Sequence, residues 1–469
     1  MTGTAARIPL DVWRATTIAG VVVGVAYALS PLAVLFAVAG VAIVQWACRG
    51  LSQRERRVVQ VLLVSALVLR VVAVAVLFIT SSRAHAPFAT FFGDEEFFIR
   101  RSIWLRNLAL GTPIHGADLI YAFDAVGETS YLYILAFIQV LVGPSPYGLH
   151  LVGVAFYLTA AVLLYRLVRA TLGHMPALVG LGLLLYMPSL FAWSISALKE
   201  PFFFLLTSLT ILLAVAMCRS PRWMSRAAAL VAVVALIVVI ETVRRVGGAL
   251  AAVSLTSGLA IGWLVSRPRL LTTAIVLAPI ALGAALSRPE AQVKVYQVVQ
   301  QAAVQHAGHI KTSGYVYKTL DDRFYMNNAD ISGMRLFEAA RFLVRSVVKY
   351  VTVPLPWDVQ SRAALVYVPE QVIWYVLVLL LPIGILTSFR RDALVTALLM
   401  SHAAAAAFLI AITSGNVGTL VRHRGMAIPY IVWLSAVGGC DLVSRLVRRP
   451  AAAVARAGTE PRWNPDAPS

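Results

Sequence analysis

Apolar runs near the ~20 residues needed for a helix to cross a bilayer recur along the whole chain, separated by short basic or polar breaks. Runs at 16–29 and 32–48 read as a tight hairpin broken at Ser30-Pro31, and a third run covers 58–79. Further runs fall at 149–168, 175–192, 200–218, 227–241, 246–265 and 270–287, and the last three at 371–388, 393–413 and 427–446. The pattern predicts an all-α polytopic membrane protein of about 12 transmembrane helices. Two long stretches, 80–148 and 287–369, break the rhythm and predict large loops carrying interfacial helices. The division expected is a hairpin (1–57), a transmembrane module (58–286) containing the first loop (80–148), a loop region (287–369), C-terminal transmembrane helices (370–449) and a disordered cytoplasmic tail (450–469).

Composition agrees with this class. Of 469 residues, 60% are hydrophobic and only 13% charged, against about 25% charged in soluble domains. The net charge of +19 does not indicate nucleic acid, because the basic residues sit in clusters between apolar runs. With the N-terminus inside, Arg49/Arg54/Arg56/Arg57, Arg166/Arg169, Arg219/Arg222/Arg226, Arg267/Arg269, Arg390/Arg391 and Arg445/Arg448/Arg449 all fall in cytoplasmic turns, as the positive-inside rule requires. The pattern survives only if the apolar segment Tyr131 to Val142 lies in or dips into the outer interface without crossing. Both termini are then cytoplasmic. Cys48, Cys218 and Cys440 fall near cytoplasmic ends, so no disulfide is expected. No cleaved signal peptide is expected, and the Ala-, Val- and Arg-rich composition points to a bacterial inner membrane.

Charges on the outer face are the informative ones, because the positive-inside rule does not account for them. Gly93-Asp94-Glu95-Glu96 opens the helical run Phe97 to Arg106, with three carboxylates in a row in a basic, apolar chain. Asp94 reads as an N-cap with Glu95 and Glu96 on the helix dipole, or as a carboxylate held above the bilayer towards a lipid-borne head group. Lys199-Glu200-Pro201 opens a span; Lys199 snorkels and Glu200 caps, or both face the same cavity. Arg244/Arg245 and Arg422-His423-Arg424 fit a phosphate, since guanidinium offers paired donors; interfacial snorkelling is the other reading. Arg70 lies within a span and needs a buried partner, either a carboxylate or substrate. In the second loop, Arg341, Arg345 and Lys349 fall at i, i+4, i+8 on one helix face, as a lid or acceptor element or as a solvated face. His306 and His309 lack nearby carboxylates in sequence.

Gly93-Asp94-Glu95 in the first large loop resembles the GT-C superfamily of membrane glycosyltransferases, which includes protein O-mannosyltransferases and aminoarabinose and arabinofuranosyl transferases. The order of the later motifs is similar too: Tyr165-Arg166-Leu167-Val168-Arg169, then Tyr186-Met187-Pro188-Ser189, then Ala197-Leu198-Lys199-Glu200-Pro201. The resemblance covers about residues 58–245, and an extra hairpin precedes the span that comes first in that family. It implies Asp94 as general base, Glu95 or Glu200 in support, and a polyprenyl-phosphate-linked sugar as donor. The acceptor stays open among glycan, lipid and protein. Lys199, Arg244, Arg245, Arg422, Arg424, Arg341 and Arg345 are the cations available to a lipid phosphate. A divalent cation (Mg or Mn) bridging Asp94 and Glu95 to the phosphate is one arrangement, and a bare carboxylate base is the other. Two other classes share such features: an O-antigen-type polymerase or ligase using lipid diphosphates, and a transporter or flippase of polyprenyl-linked lipids.

Overall fold

The computed structural model describes residues 10–29, 31–82, 89–90, 92–124, 127–310, 318–320, 334, 336–355 and 368–457. The protein is an all-α polytopic membrane protein: nineteen helices form among the described residues, with no strand. Ten are long and apolar enough to cross a bilayer, and a bent pair raises the number to eleven. The chain divides into two compact units, one from 1–166 and 181–253, the other from 167–180 and 254–469.

The expected span 175–192 is two helices, His174–Tyr186 and Pro188–Ser194, meeting at 67°. Pro188 has no N–H to donate and disfavours helical geometry in the residue before it; Met187 is accordingly extended, at φ −63 and ψ 125. The break frees carbonyls in an apolar interior, where each needs a donor. Tyr157 Oη donates to Leu184 O at 2.7 Å and Arg70 Nη2 to Leu185 O at 3.0 Å. Arg70 is 0% exposed. Its Nε reaches Ser194 Oγ at 2.7 Å, its Nη1 reaches Ala66 O at 3.1 Å, and its plane lies over Phe191 and Tyr157. The buried partner expected for Arg70 is therefore neither a carboxylate nor substrate. It is the broken end of a neighbouring helix.

The first long loop holds three helices, Gly93–Ala109, Gly116–Ala122 and Ser130–Val142. The third has 13 residues, which at 1.5 Å each is about 20 Å, short of the ~30 Å hydrocarbon core. Its buried Gln139 Nε2 donates to Ser102 Oγ at 2.7 Å, and Arg106 Nε donates to Gln139 O at 3.0 Å. This polar seam fixes it on the Gly93–Ala109 helix.

In the second unit the Val368–Arg391 and Ile428–Ala457 helices cross closely, because a side chain at Gly384 would strike Leu434 O and one at Gly438 would strike Leu380 O. The second loop contains a helix the hydropathy pattern does not reveal, Pro289–Gly308, whose Val299, Ala302, Ala303 and Ala307 pack with Ala339, Phe342 and Ile412. The last helix runs on to Ala457, into the stretch expected to be a disordered tail, and 458–469 lie outside the described residues.

Replacing Arg70 by Ala removes three charge-assisted hydrogen bonds and leaves a cavity, a loss of about 3 kcal/mol or more. Thermal melting of the purified protein in detergent should fall accordingly, with Arg70→Lys intermediate. An R70A protein melting with wild type would remove Arg70 from this anchoring role.

Candidate functional site

The Gly93–Ala109 helix carries Asp94, Glu95 and Glu96 in its first turn, where unpaired backbone N–H groups favour negative charge. The N-cap is Phe92, without a side-chain cap bond, so Asp94 is not the capping residue. The three acids take different environments. Asp94 is exposed; Glu96 pairs with Arg100 at 2.5 Å on the exposed side; Glu95 is 0% exposed.

Glu95 Oε2 lies 3.6 Å from Nδ1 of His150, which is itself 2.7 Å from Ile195 O. A carbonyl oxygen only accepts, so Nδ1 carries the proton and Nε2 presents its lone pair. That Nε2 is buried and makes no hydrogen bond among the described residues. Tyr131 stands beside the same carboxylate. Its ring stacks on Phe202 at 5.9 Å and meets Phe98 edge-on at 6.2 Å. Burial pushes its phenol well above the ordinary value, and the Glu200 and Glu95 carboxylates push the same way. The phenol thus stays neutral near two acids, and its oxygen makes no hydrogen bond among the described residues.

Glu200 is 4% exposed and opens the Glu200–Arg219 helix, with half-buried Lys199 preceding it. Arg244 Nη1 is 3.7 Å from Glu200 Oε1, and its guanidinium lies over the Phe203 ring. The turn that presents Arg244 is braced by Glu241, whose carboxylate accepts from Val246 N at 3.0 Å and Gly248 N at 2.9 Å. Val246 pays for this with φ 68, strained for a β-branched residue. Arg245, next to it, is exposed. The first unit therefore brings Glu95, Glu200 and Arg244 together with Tyr131 and His150, with Asp94, Lys199 and Arg245 beside them in sequence.

The buried bend 195–198, which joins these parts, is seated on Gly153: a Cβ there would come 2.5 Å from Ser196 O. His150 and Tyr131 carry no signal in the sequence, being one imidazole and one phenol in apolar runs.

In the second unit Arg424 is 2% exposed. Its Nη1 donates to Gln371 Oε1 at 2.9 Å and its Nη2 to the Tyr350 and Val353 carbonyls. Both Nη groups thus serve the chain's own structure, and Arg424 leaves the set expected to hold phosphate. Burial lowers its pKa to about 10, so it stays charged. Arg422 and Arg345 are half-buried and Arg341 is exposed.

His306 Nε2 lies 3.1 Å from Thr319 Oγ1, Thr319 N donates to Gly415 O at 2.9 Å, and Lys318 bridges Asn416. His306 thus helps to pin this segment. Among the described residues no group of three or more His, Cys, Asp or Glu is placed to hold a metal. Asp94 is exposed while Glu95 is buried, so the two do not share one face for a cation.

No family model matches this chain, and no curated protein or solved structure matches it.

Gly153→Ala should displace the 195–198 bend and cost about 1–3 kcal/mol by overpacking, read as a lower melting temperature; an unchanged melt would show the bend to be loosely held. Burial first, then His309, lowers His306 from 6.5 to about 4. The unfolded chain therefore binds the extra proton between those values. His306's contribution is complete above pH 6.5 and is lost as pH falls towards 4. His306→Gln should flatten that part of the stability profile, measured by melts across the range.

Proposed function

We propose that this protein is a membrane glycosyltransferase that moves a sugar from a polyprenyl-phosphate donor to an acceptor hydroxyl on the extracytoplasmic face. The observation carrying this reading is the first turn of the Gly93–Ala109 helix, where Asp94 is exposed while neighbouring Glu95 is held in the interior beside His150. A helix anchored in this way holds the Asp94 carboxylate at a fixed place on a non-spanning element, as a general base requires.

Asp94 takes the proton of the acceptor hydroxyl. The acceptor oxygen bonds to the anomeric carbon as the bond from that carbon to the lipid phosphate breaks. The phosphate departs with the electron pair, and cations stabilise it. Lys199, Arg244 and Arg245, all in the first unit, supply that charge in this reading. Glu95 positions Asp94, and Glu200 orients Arg244 through the pair at 3.7 Å.

A mass-spectrometric profile of polyprenyl-phosphate sugars and surface glycans tests this, comparing a deletion strain complemented with wild type or Asp94→Asn. The variant should accumulate one lipid-linked sugar and lose one glycan decoration, as the deletion does, because a general base supplies about 100- to 10,000-fold. Asp94→Asn protein present at wild-type level with a wild-type profile would sink the assignment.

A further inference from the structure

The Leu336–Thr352 helix divides into three stripes. Ala339, Phe342, Ser346 and Tyr350 are buried against the second unit. Phe337, Val344, Val347 and Val348 stand 79%, 64%, 40% and 52% exposed, a ridge of large apolar side chains turned away from the protein. Alongside runs the basic row Arg341, Arg345 and Lys349, at i, i+4, i+8. Glu338, in the first turn, is the helix's one acid. A solvated helix face has little use for the apolar ridge, and a protein-covered one would bury it.

The anchoring of the helix shows what lies against this face. Its last three carbonyls and that of Val353 are taken by side chains. Arg424 donates to Tyr350 O and Val353 O, Trp374 Nε1 to Val351 O at 2.9 Å, and Tyr375 Oη to Thr352 O at 2.6 Å. Trp374 and Tyr375 belong to the first two turns of the Val368–Arg391 span. Nearer its start, Ala339 and Phe342 pack with Ile412, at the end of the Ala393–Thr413 span. Those two spans join through Asp392, so Val368 and Thr413 are the ends remote from the joint. The helix thus contacts both spans at those remote ends, where apolar span gives way to polar loop. That is the level of lipid head groups, and Trp374 and Tyr375 are the residue types found there.

We infer that the Leu336–Thr352 helix is a lipid-binding surface for anionic phospholipid. The Phe337–Val344–Val348 ridge enters the upper acyl region, and Arg341, Arg345 and Lys349 lie on head-group phosphates. This does not rest on the glycosyl-transfer reading.

Hydrogen exchange of the full-length protein tests it, in nanodiscs of phosphatidylglycerol and of phosphatidylcholine. Peptides covering 336–352 should exchange roughly tenfold or more slowly in phosphatidylglycerol, from three cations at an anionic surface, and the difference should shrink in high salt. Arg341→Gln/Arg345→Gln/Lys349→Gln should abolish the lipid dependence, while the charge-conserving Arg341→Lys/Arg345→Lys/Lys349→Arg keeps it. Peptides from the two spans report whether each variant is folded; where the neutral variant loosens them, wild type in the two lipids decides alone. Equal exchange of wild type in the two lipids, or a neutral variant that keeps the difference, would overturn the inference.

Discussion

A helix that ends inside an apolar bundle leaves carbonyls that water cannot reach, and supplying donors to those ends organises this structure. Arginine does most of it. Arg70 serves the end of His174–Tyr186, and Arg101 donates to Ala122 O at 3.1 Å and Asp124 O at 2.7 Å, at the end of Gly116–Ala122. Arg166 reaches Trp46 O at 2.7 Å as Pro31–Cys48 closes, and Arg391 donates to Leu172 O just past Pro146–Thr171. Arg424 closes Leu336–Thr352. A cation at a helix C-terminus also meets the negative end of the macrodipole, so one side chain contributes both a hydrogen bond and a favourable field.

The same constraint shapes the candidate site. Pro188 breaks a span, and the short Pro188–Ser194 helix delivers the chain into the buried bend 195–198. That bend needs a donor for Ile195 O, which His150 Nδ1 provides, and close backbone approach, which Gly153 allows. Accepting that bond fixes the imidazole tautomer and turns Nε2 elsewhere. The bend also sets where Glu200 emerges, and therefore where Arg244 is held. Tyr131, bordered by Glu200 and Glu95, arrives on a separate helix fastened at its start, where Thr129 Oγ1 donates to Val243 O at 2.6 Å. The polarity of the site follows from how the backbone is terminated around it.

The architecture was legible in the sequence because apolar length and basic clustering are local properties. The 10 candidate spans and the bent pair each coincide with one of the expected runs; the helix over the first run, Leu10–Leu29, is not among them, and Ser130–Val142 is too short to add another. The runs did not reveal the 67° break, since Pro188 sits in uninterrupted apolar sequence, nor the Pro289–Gly308 helix, which is too polar to stand out as a run. The acid cluster was visible, but its division was not. Asp94 and Glu95 are adjacent letters, and only the neighbouring helices decide that one faces solvent and the other His150. His150 and Tyr131 were silent because their significance lies wholly in what folds against them.

Arginine is where reading from sequence is most exposed to error, because a guanidinium that fits a phosphate fits a pair of carbonyls equally well. Arg422 and Arg424 look equivalent as letters, yet Arg424 is buried between the Tyr350 and Trp374 rings with its Nη groups on the chain's own acceptors. Removing it would strand the Tyr350 and Val353 carbonyls, so Arg424 shares with Trp374 and Tyr375 the work of holding the end of the helix that carries the basic row. A residue that looks like a ligand for phosphate here helps, from beneath, to hold other cations in place. The useful division among these arginines is therefore between those that terminate helices and those whose charge is left facing outward, and burial together with the acceptor's identity draws that line.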